Sequence, residues 1–149
     1  MEKFLSLKKK IKKNEGFRNK VYLDSLGYPT IGYGHLITNQ EKKTFQTKFS
    51  KKFFTSLFDK DFKKALFSYK KNFNHKKHSK YIKEVLIEMI FQLGIKKQKK
   101  FVKMNSHIQN NNMFLAALEM KNSLWYKQTP KRVDGLINLL LKRAYEKKR

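Results

Sequence analysis

Apolar residues recur along this chain in two rhythms, and the change of rhythm divides it. Phe4, Leu7 and Ile11 stand three and four residues apart. That spacing gives a short amphipathic helix, expected to end near Asn14 to Gly16 with Glu15 at its C-terminus. From Phe17 to Thr38 the pattern turns to short β-prone runs, Lys20 to Leu23 and Pro29 to Tyr33, punctuated by Gly27, Pro29, Gly32 and Gly34. A small hairpin or meander follows from this. Asp24-Ser25-Leu26-Gly27 has turn chemistry, with Asp at the first position and Gly at the last.

After Gln40 the helical period dominates. Ser50 is placed to cap a helix with an apolar stripe through Phe54, Leu57, Phe58, Phe62, Ala65, Leu66 and Tyr69. Lys70 to Lys80 reads as a polar loop, with Ser79 as the next cap. Ile82, Val85, Leu86, Met89, Ile90 and Leu93 then repeat at helical steps before Gly94, the clearest core helix of the chain. Shorter helices are expected beyond Phe101. Thr129-Pro130 forms a cap and first-turn pair ahead of Val133, Leu136, Ile137, Leu140 and Ala144. The predicted fold class is α+β: a small N-terminal antiparallel sheet and a mainly helical C-terminal lobe.

A length of 149 residues suits one domain that closes its core without staples. The expected organisation is a single domain over 1–149 with two lobes, about 15–60 and 61–149, the first helix packing on the C-terminal lobe. No cysteine is present, which excludes disulfides and thiolate-bound metal and fits synthesis in a reducing cytoplasm. The start MEKFLSLKKKIKKNEGF interleaves charge with apolar residues, so it lacks a signal core, and no apolar run is long enough to span a membrane. Export is therefore expected to depend on another protein.

The net charge of +25 points to polyanions: nucleic acid, anionic lipid or acidic cell-wall polymer. The competing explanation is codon bias, with most lysines simply solvated on helix faces. Their dispersion through nearly every block of ten favours the second, because a nucleic-acid reader concentrates its cations on one helix or groove. His75 and His78 flank two lysines, which repel a metal cation, so that segment reads as polar loop.

Glu15, Asp24 and Thr30 carry the candidate chemistry. Each alone has a plain explanation as an exposed glutamate, a turn former and a β-branched strand residue. Together they stand nine and then six residues apart within NEGFRNKVYLDSLGYPTIGYGH. With Gly16, Tyr22, Gly27 and Ile31-Gly32-Tyr33-Gly34-His35, they resemble the catalytic hairpin of T-even phage-type lysozymes, glycoside hydrolase family 24. The resemblance extends through Phe91-Gln92-Leu93-Gly94, Phe101, Leu124-Trp125-Tyr126 and Gln128-Thr129-Pro130 with Arg132, and so covers nearly the whole chain.

That resemblance implies a lysozyme-like fold and a muramidase. It makes Glu15 the general acid, Asp24 the residue that orients and helps deprotonate water, and Thr30 the holder of that water, with inversion at the anomeric carbon. The bond implied is that between N-acetylmuramic acid and N-acetylglucosamine in bacterial peptidoglycan. Substrate contacts are implied at Gly34, Leu36, Phe91, Gln92 and Arg132. Trp125 and Tyr126 also suit sugar by position, although core packing competes as the role of Phe91 and Trp125.

Two influences oppose each other at Glu15: a helix C-terminus favours the protonated acid, whereas Arg132, matching an arginine that faces the family's glutamate, favours the carboxylate. His35 is implied to pair structurally with Asp61, with Asp59 as the second choice. Glu88 departs from the family pattern, and is expected either to face solvent or to require a cation. The connection from His35 to Asp61 is shorter than in the T-even enzymes, which implies a trimmed lower lobe.

No cofactor or metal is expected, since two carboxylates and water suffice. The implied partners are peptidoglycan, anionic wall polymers or lipid, and a separate holin-type pore, with no specific nucleic acid and a monomeric state. The protein is expected in the host cytoplasm after synthesis and at the wall in the periplasm after release. A catalytically silent cationic protein of lysozyme fold, binding nucleic acid, membrane or cell wall, is the alternative. A third reading joins muramidase activity to membrane disturbance by basic amphipathic helices.

Overall fold

In the computed structural model the backbone is described over residues 4–147 and side chains over 4–142. The chain forms two compact units, Met1–Lys64 and Ala65–Arg149.

The first unit begins with α1 (Leu5–Glu15), which buries Leu7 and Ile11 and ends where Gly16 adopts φ 71° and its N–H closes on Lys12. Three antiparallel strands follow in the order β1 (Arg18–Leu23), β2 (Pro29–Gly32) and β3 (His35–Leu36). Two 3-10 turns, Asn39–Glu41 and Thr44–Gln46, connect the sheet to α2 (Lys51–Asn72). Ser50 caps α2 through a hydrogen bond from the Phe53 N–H, 3.1 Å long.

Period-two alternation gives the sheet two different faces. Ile31 pairs with His35, and both are buried. Around Ile31, Phe45 and Phe54 gather Phe17, Tyr33, Ile37, Phe49, Phe53 and Leu57, forming an aromatic core. Directly opposed residues share a face. Tyr22, Thr30 and Leu36 therefore form one row across the three strands, through the Tyr22 to Thr30 and Thr30 to Leu36 pairings. The β1 register shifts between Arg18 and Tyr22, an irregularity of the kind that re-aims side chains.

The second unit contains the end of α2, a 3-10 turn at His75–Lys77, and six helices: α3 (Lys80–Leu93), α4 (Ile95–Lys99), α5 (Val102–Gln109), α6 (Met113–Lys121), α7 (Leu124–Gln128) and α8 (Pro130–Lys147). Helix α3 is its axis, burying every residue from Val85 to Ile90, as expected of a helix enclosed on all sides. Helices α4 and α8 pack on α3, and α6 bridges α5 and α8. Val133, Leu136, Ile137 and Leu140 of α8 are buried, whereas the Ala144 side chain lies outside the described residues.

Two boundaries differ from the pattern reading. Helix α2 continues to Asn72, because the side chains of Lys70 and Lys71 are good helix formers that remain solvated. Gly94 stops α3 at φ 82° with its N–H on Ile90, but a further helical turn, α4, starts immediately after it.

Candidate active site

Glu15 is the last residue of α1. Its carboxyl lies against Gly34, which has φ 76°; a Cβ built there would meet Glu15 Oε2 and would stand 2.7 Å from Cδ. Backbone geometry and contact space both require glycine at this point. Within the same unit Tyr22 feels the Glu15 charge. Burial pushes the Tyr22 phenol up, Glu15 pushes it further, Arg18 pulls it down and Asp24 adds another upward push, for a net rise. The Arg18 guanidinium lies 4.5 Å from the Tyr22 ring centroid, within cation–π range.

Asp24 and Thr30 both bond to the main chain of one residue, Tyr28. Asp24 Oδ1 accepts from Tyr28 N–H at 2.8 Å and from Leu26 N–H at 2.9 Å. The Asp24 backbone N–H returns to the Tyr28 carbonyl at 2.9 Å, and Gly27 N–H reaches the Asp24 carbonyl at 3.0 Å. Thr30 Oγ1 donates to the same Tyr28 carbonyl at 2.9 Å. These bonds engage Asp24 Oδ1 and leave Oδ2 for another donor. They also commit the Thr30 proton, so its hydroxyl oxygen faces any further partner as an acceptor.

His35 is clamped beneath this hairpin. Its Nδ1 lies 2.8 Å from Asp61 Oδ2, and its Nε2 lies 3.1 Å from both Glu41 oxygens. Asp59, the second choice, faces Lys8 at 3.5 Å. Burial pushes His35 down, but the hydrogen bonds and charges of Asp61 and then Glu41 outweigh it and raise the imidazole above its ordinary value. For Glu41, burial pushes upward and is outweighed by hydrogen bonding from Thr38 and by His35, so the carboxyl is held low. Sequence pattern does not single out Glu41 as a partner of His35. The Thr38-x-x-Glu41 spacing is its one local signal, and Thr38 N–H does donate to Glu41 Oε1 at 3.0 Å.

The remaining candidates lie elsewhere. Leu36 is 51% exposed on the Thr30 row. In the second unit Phe91 is partly buried on α3. Gln92 is drawn inward: its Oε1 accepts from Trp125 Nε1 at 2.9 Å and its Nε2 donates to Thr129 Oγ1 at 3.2 Å. The paired bonds tie α3 to α7 and to the start of α8. Trp125 is buried, with its ring edge-on to Phe101. Tyr126 OH donates to Asp134 at 3.3 Å. Glu88 does not face solvent: it is fully buried, with Oε2 at 3.2 Å from Arg132 Nε. That supplies the cation its burial demands.

A carboxyl at the end of α1, with a carboxylate and a hydroxyl on the hairpin, suits acid–base hydrolysis. The phage lysozyme family model matches residues 12–146. The chain belongs to the phage lysozyme family. This phage lysozyme family member is 33% identical to "Probable T4-type lysozyme 1" of Dictyostelium discoideum, with 91% of this chain and 93% of the relative covered. It is 32% identical to "Probable T4-type lysozyme 2" of the same organism, covering 90% and 92% respectively. It also matches the "Pre-baseplate central spike protein Gp5" of Enterobacteria phage T4 at 28% identity, over 92% of this chain and 28% of that protein. As a member of the phage lysozyme family it is a glycoside hydrolase that acts on peptidoglycan. No helix among the described residues is long and apolar enough to cross a membrane.

Proposed function

We propose that the chain is an inverting N-acetylmuramidase that cuts the β-1,4 bond between N-acetylmuramic acid and N-acetylglucosamine. Glu15 protonates the departing glycosidic oxygen as the bond to the anomeric carbon breaks. Water held at Thr30 Oγ1 attacks that carbon from the opposite face, and Asp24 receives the proton it loses. The observation that most supports this is the anchoring of both the Asp24 carboxylate and the Thr30 hydroxyl on the main chain of Tyr28, through its N–H and its carbonyl. One water donating to both is the simplest occupant.

Gly34, Leu36, Phe91, Gln92 and Arg132 are the proposed sugar contacts. The biological role proposed is host lysis at the end of a phage cycle. A monomer made in the cytoplasm would reach the periplasmic wall through a separate holin-type pore. No cofactor is needed. The +25 charge favours encounter with anionic wall polymers and lipid, an attraction that weakens as salt is raised.

The deciding experiment compares wild type with Glu15→Gln on purified peptidoglycan, with mass spectrometry of the new reducing ends and NMR of the first-formed anomer. N-acetylmuramic acid ends in the α configuration from wild type alone support every part of the proposal. A β product refutes inversion, and N-acetylglucosamine ends refute the bond assignment. If neither protein cuts while both bind, the cationic binding-protein reading replaces it. Bacterial killing that survives Glu15→Gln would mark additional membrane disturbance.

A further inference from the structure

A concavity lies entirely within the helical unit, lined by the end of α2, the His75–Lys77 turn and helices α3 to α5. It offers about 740 Å³, inside the range of roughly 300–1,000 Å³ usual for small-ligand pockets. None of the residues proposed for catalysis lines it. Phe73, Ile82 and Val102 supply apolar surface, six side-chain amides lie around them, and Lys77 and Lys99 are the cations; no Asp or Glu is part of the lining.

The wall is held in place. Asn105 is locked to Gln98 by a 2.7 Å bond from Gln98 Nε2. Asn72 donates to the Ser68 carbonyl at 2.8 Å, which keeps its own amide oxygen available as an acceptor. His78 Nδ1 is 2.7 Å from Tyr69 OH. Burial, then the charges of Lys83 and His75, push His78 down, and burial pushes the Tyr69 phenol up. Nδ1 is engaged by Tyr69, and Nε2 is the ring nitrogen outside that bond. Asn111 stands at φ 60° on the rim.

We infer that this pocket is a non-catalytic binding site for an acidic, N-acetylated glycan, namely a stretch of wall strand outside the bond being cut. Amides pair with hydroxyl and acetamido groups in both donor and acceptor senses. Apolar and aromatic surface suits the CH face of a pyranose, and two lysines without a competing carboxylate match a lactyl or stem-peptide carboxylate. The choice of a wall glycan rests on the hydrolase reading above; the geometry of the pocket does not. By tethering the enzyme near its next bond, such a site would raise the local substrate concentration.

The test uses the full chain carrying Glu15→Gln, so that ligand persists. Its amide NMR spectrum is titrated with a tetrasaccharide of alternating N-acetylglucosamine and N-acetylmuramic acid, and with neutral chitotetraose. The expected result is saturable shifts at His78, Asn110 and Asn111 for the acidic sugar. Affinity read at those signals should fall about tenfold in Lys77→Glu/Lys99→Glu/Asn111→Gly, the last substitution tolerating the positive φ. A control of equal charge change, Lys52→Glu/Lys142→Glu, should keep it. In the Glu15-intact background, the pocket variant should keep its turnover of the soluble tetrasaccharide and lose activity on insoluble wall. No pocket shifts at saturation, equal weakening in the control, or equal competition by a short DNA duplex would each overturn the inference. If Glu15→Gln still cuts, the general acid is misassigned, but the shifts decide the pocket regardless.

Discussion

Gly34 gives Glu15 the space its carboxyl occupies: a Cβ on Gly34 would stand 2.7 Å from Glu15 Cδ, at a backbone φ of 76°. The substitution Gly34→Ala must therefore move the carboxyl and strain the turn. We expect kcat on peptidoglycan to fall about 100-fold, the effect of a displacement on the order of 1 Å, while stability falls by about 1 kcal/mol. Turbidity assays beside thermal melts would separate the two. Unchanged kcat would remove Glu15 from the chemistry.

Asp24 has a turn role and a proposed chemical one, and asparagine can fill only the first. In Asp24→Asn the side-chain amide oxygen can accept from Leu26 and Tyr28 N–H as Oδ1 does now. That substitution should leave stability within about 0.5 kcal/mol yet lower activity by at least about 100-fold. Asp24→Ala should lose both.

The His35 cluster sets a pH window for folding. His35 is raised in the folded state, so its contribution is fully present below the unfolded imidazole pKa and disappears as pH rises through the higher folded value. Glu41 is lowered, so its contribution is present above the unfolded carboxyl pKa and disappears as pH falls through the folded value. Maximal benefit lies between them, in mildly acidic solution. Thermal melts across pH should show an alkaline-side loss of stability that His35→Gln abolishes.

Glu88 and Arg132 form a pair with a fully buried carboxylate. Glu88→Gln should destabilise the protein by about 3 kcal/mol, because it removes one charge of an ion pair whose carboxylate is fully buried. Chemical denaturation would measure this. A neutral effect would mean that water or another group takes over.

Gln92 should behave as a clamp. Gln92→Leu removes the acceptor for Trp125 Nε1 and the donor to Thr129, and is expected to cost about 1–3 kcal/mol. Gln92→Glu keeps the acceptor and should recover part of that loss. Trp125 fluorescence reports the change directly.

Local patterns and distant contacts differed in how far sequence could reveal them. The stripe from Ile82 to Leu93 and the caps at Ser50 and Ser79 were legible, because helical period and capping depend on residues a few positions apart. Helix α4 was not, since Ile95–Lys99 has a single aliphatic residue among polar ones. The partners of Gln92 lie 33 and 37 residues away, and that of Glu88 lies 44 away. No local rhythm encodes such meetings. At the hairpin, the residue types of Asp24 and Thr30 were readable, but not the bonds that join both to Tyr28.

That shared residue, Tyr28, works as a ruler. The two groups proposed to handle water are both anchored on the main chain of one residue, Asp24 on its N–H and Thr30 on its carbonyl, and not through the flexible length of a loop. An insertion between Tyr28 and Thr30 would separate them, whereas the stretch between Arg18 and Tyr22 already absorbs an irregular register. Length variation in this hairpin should be tolerated on the side of the shifted register and rejected on the side of the ruler.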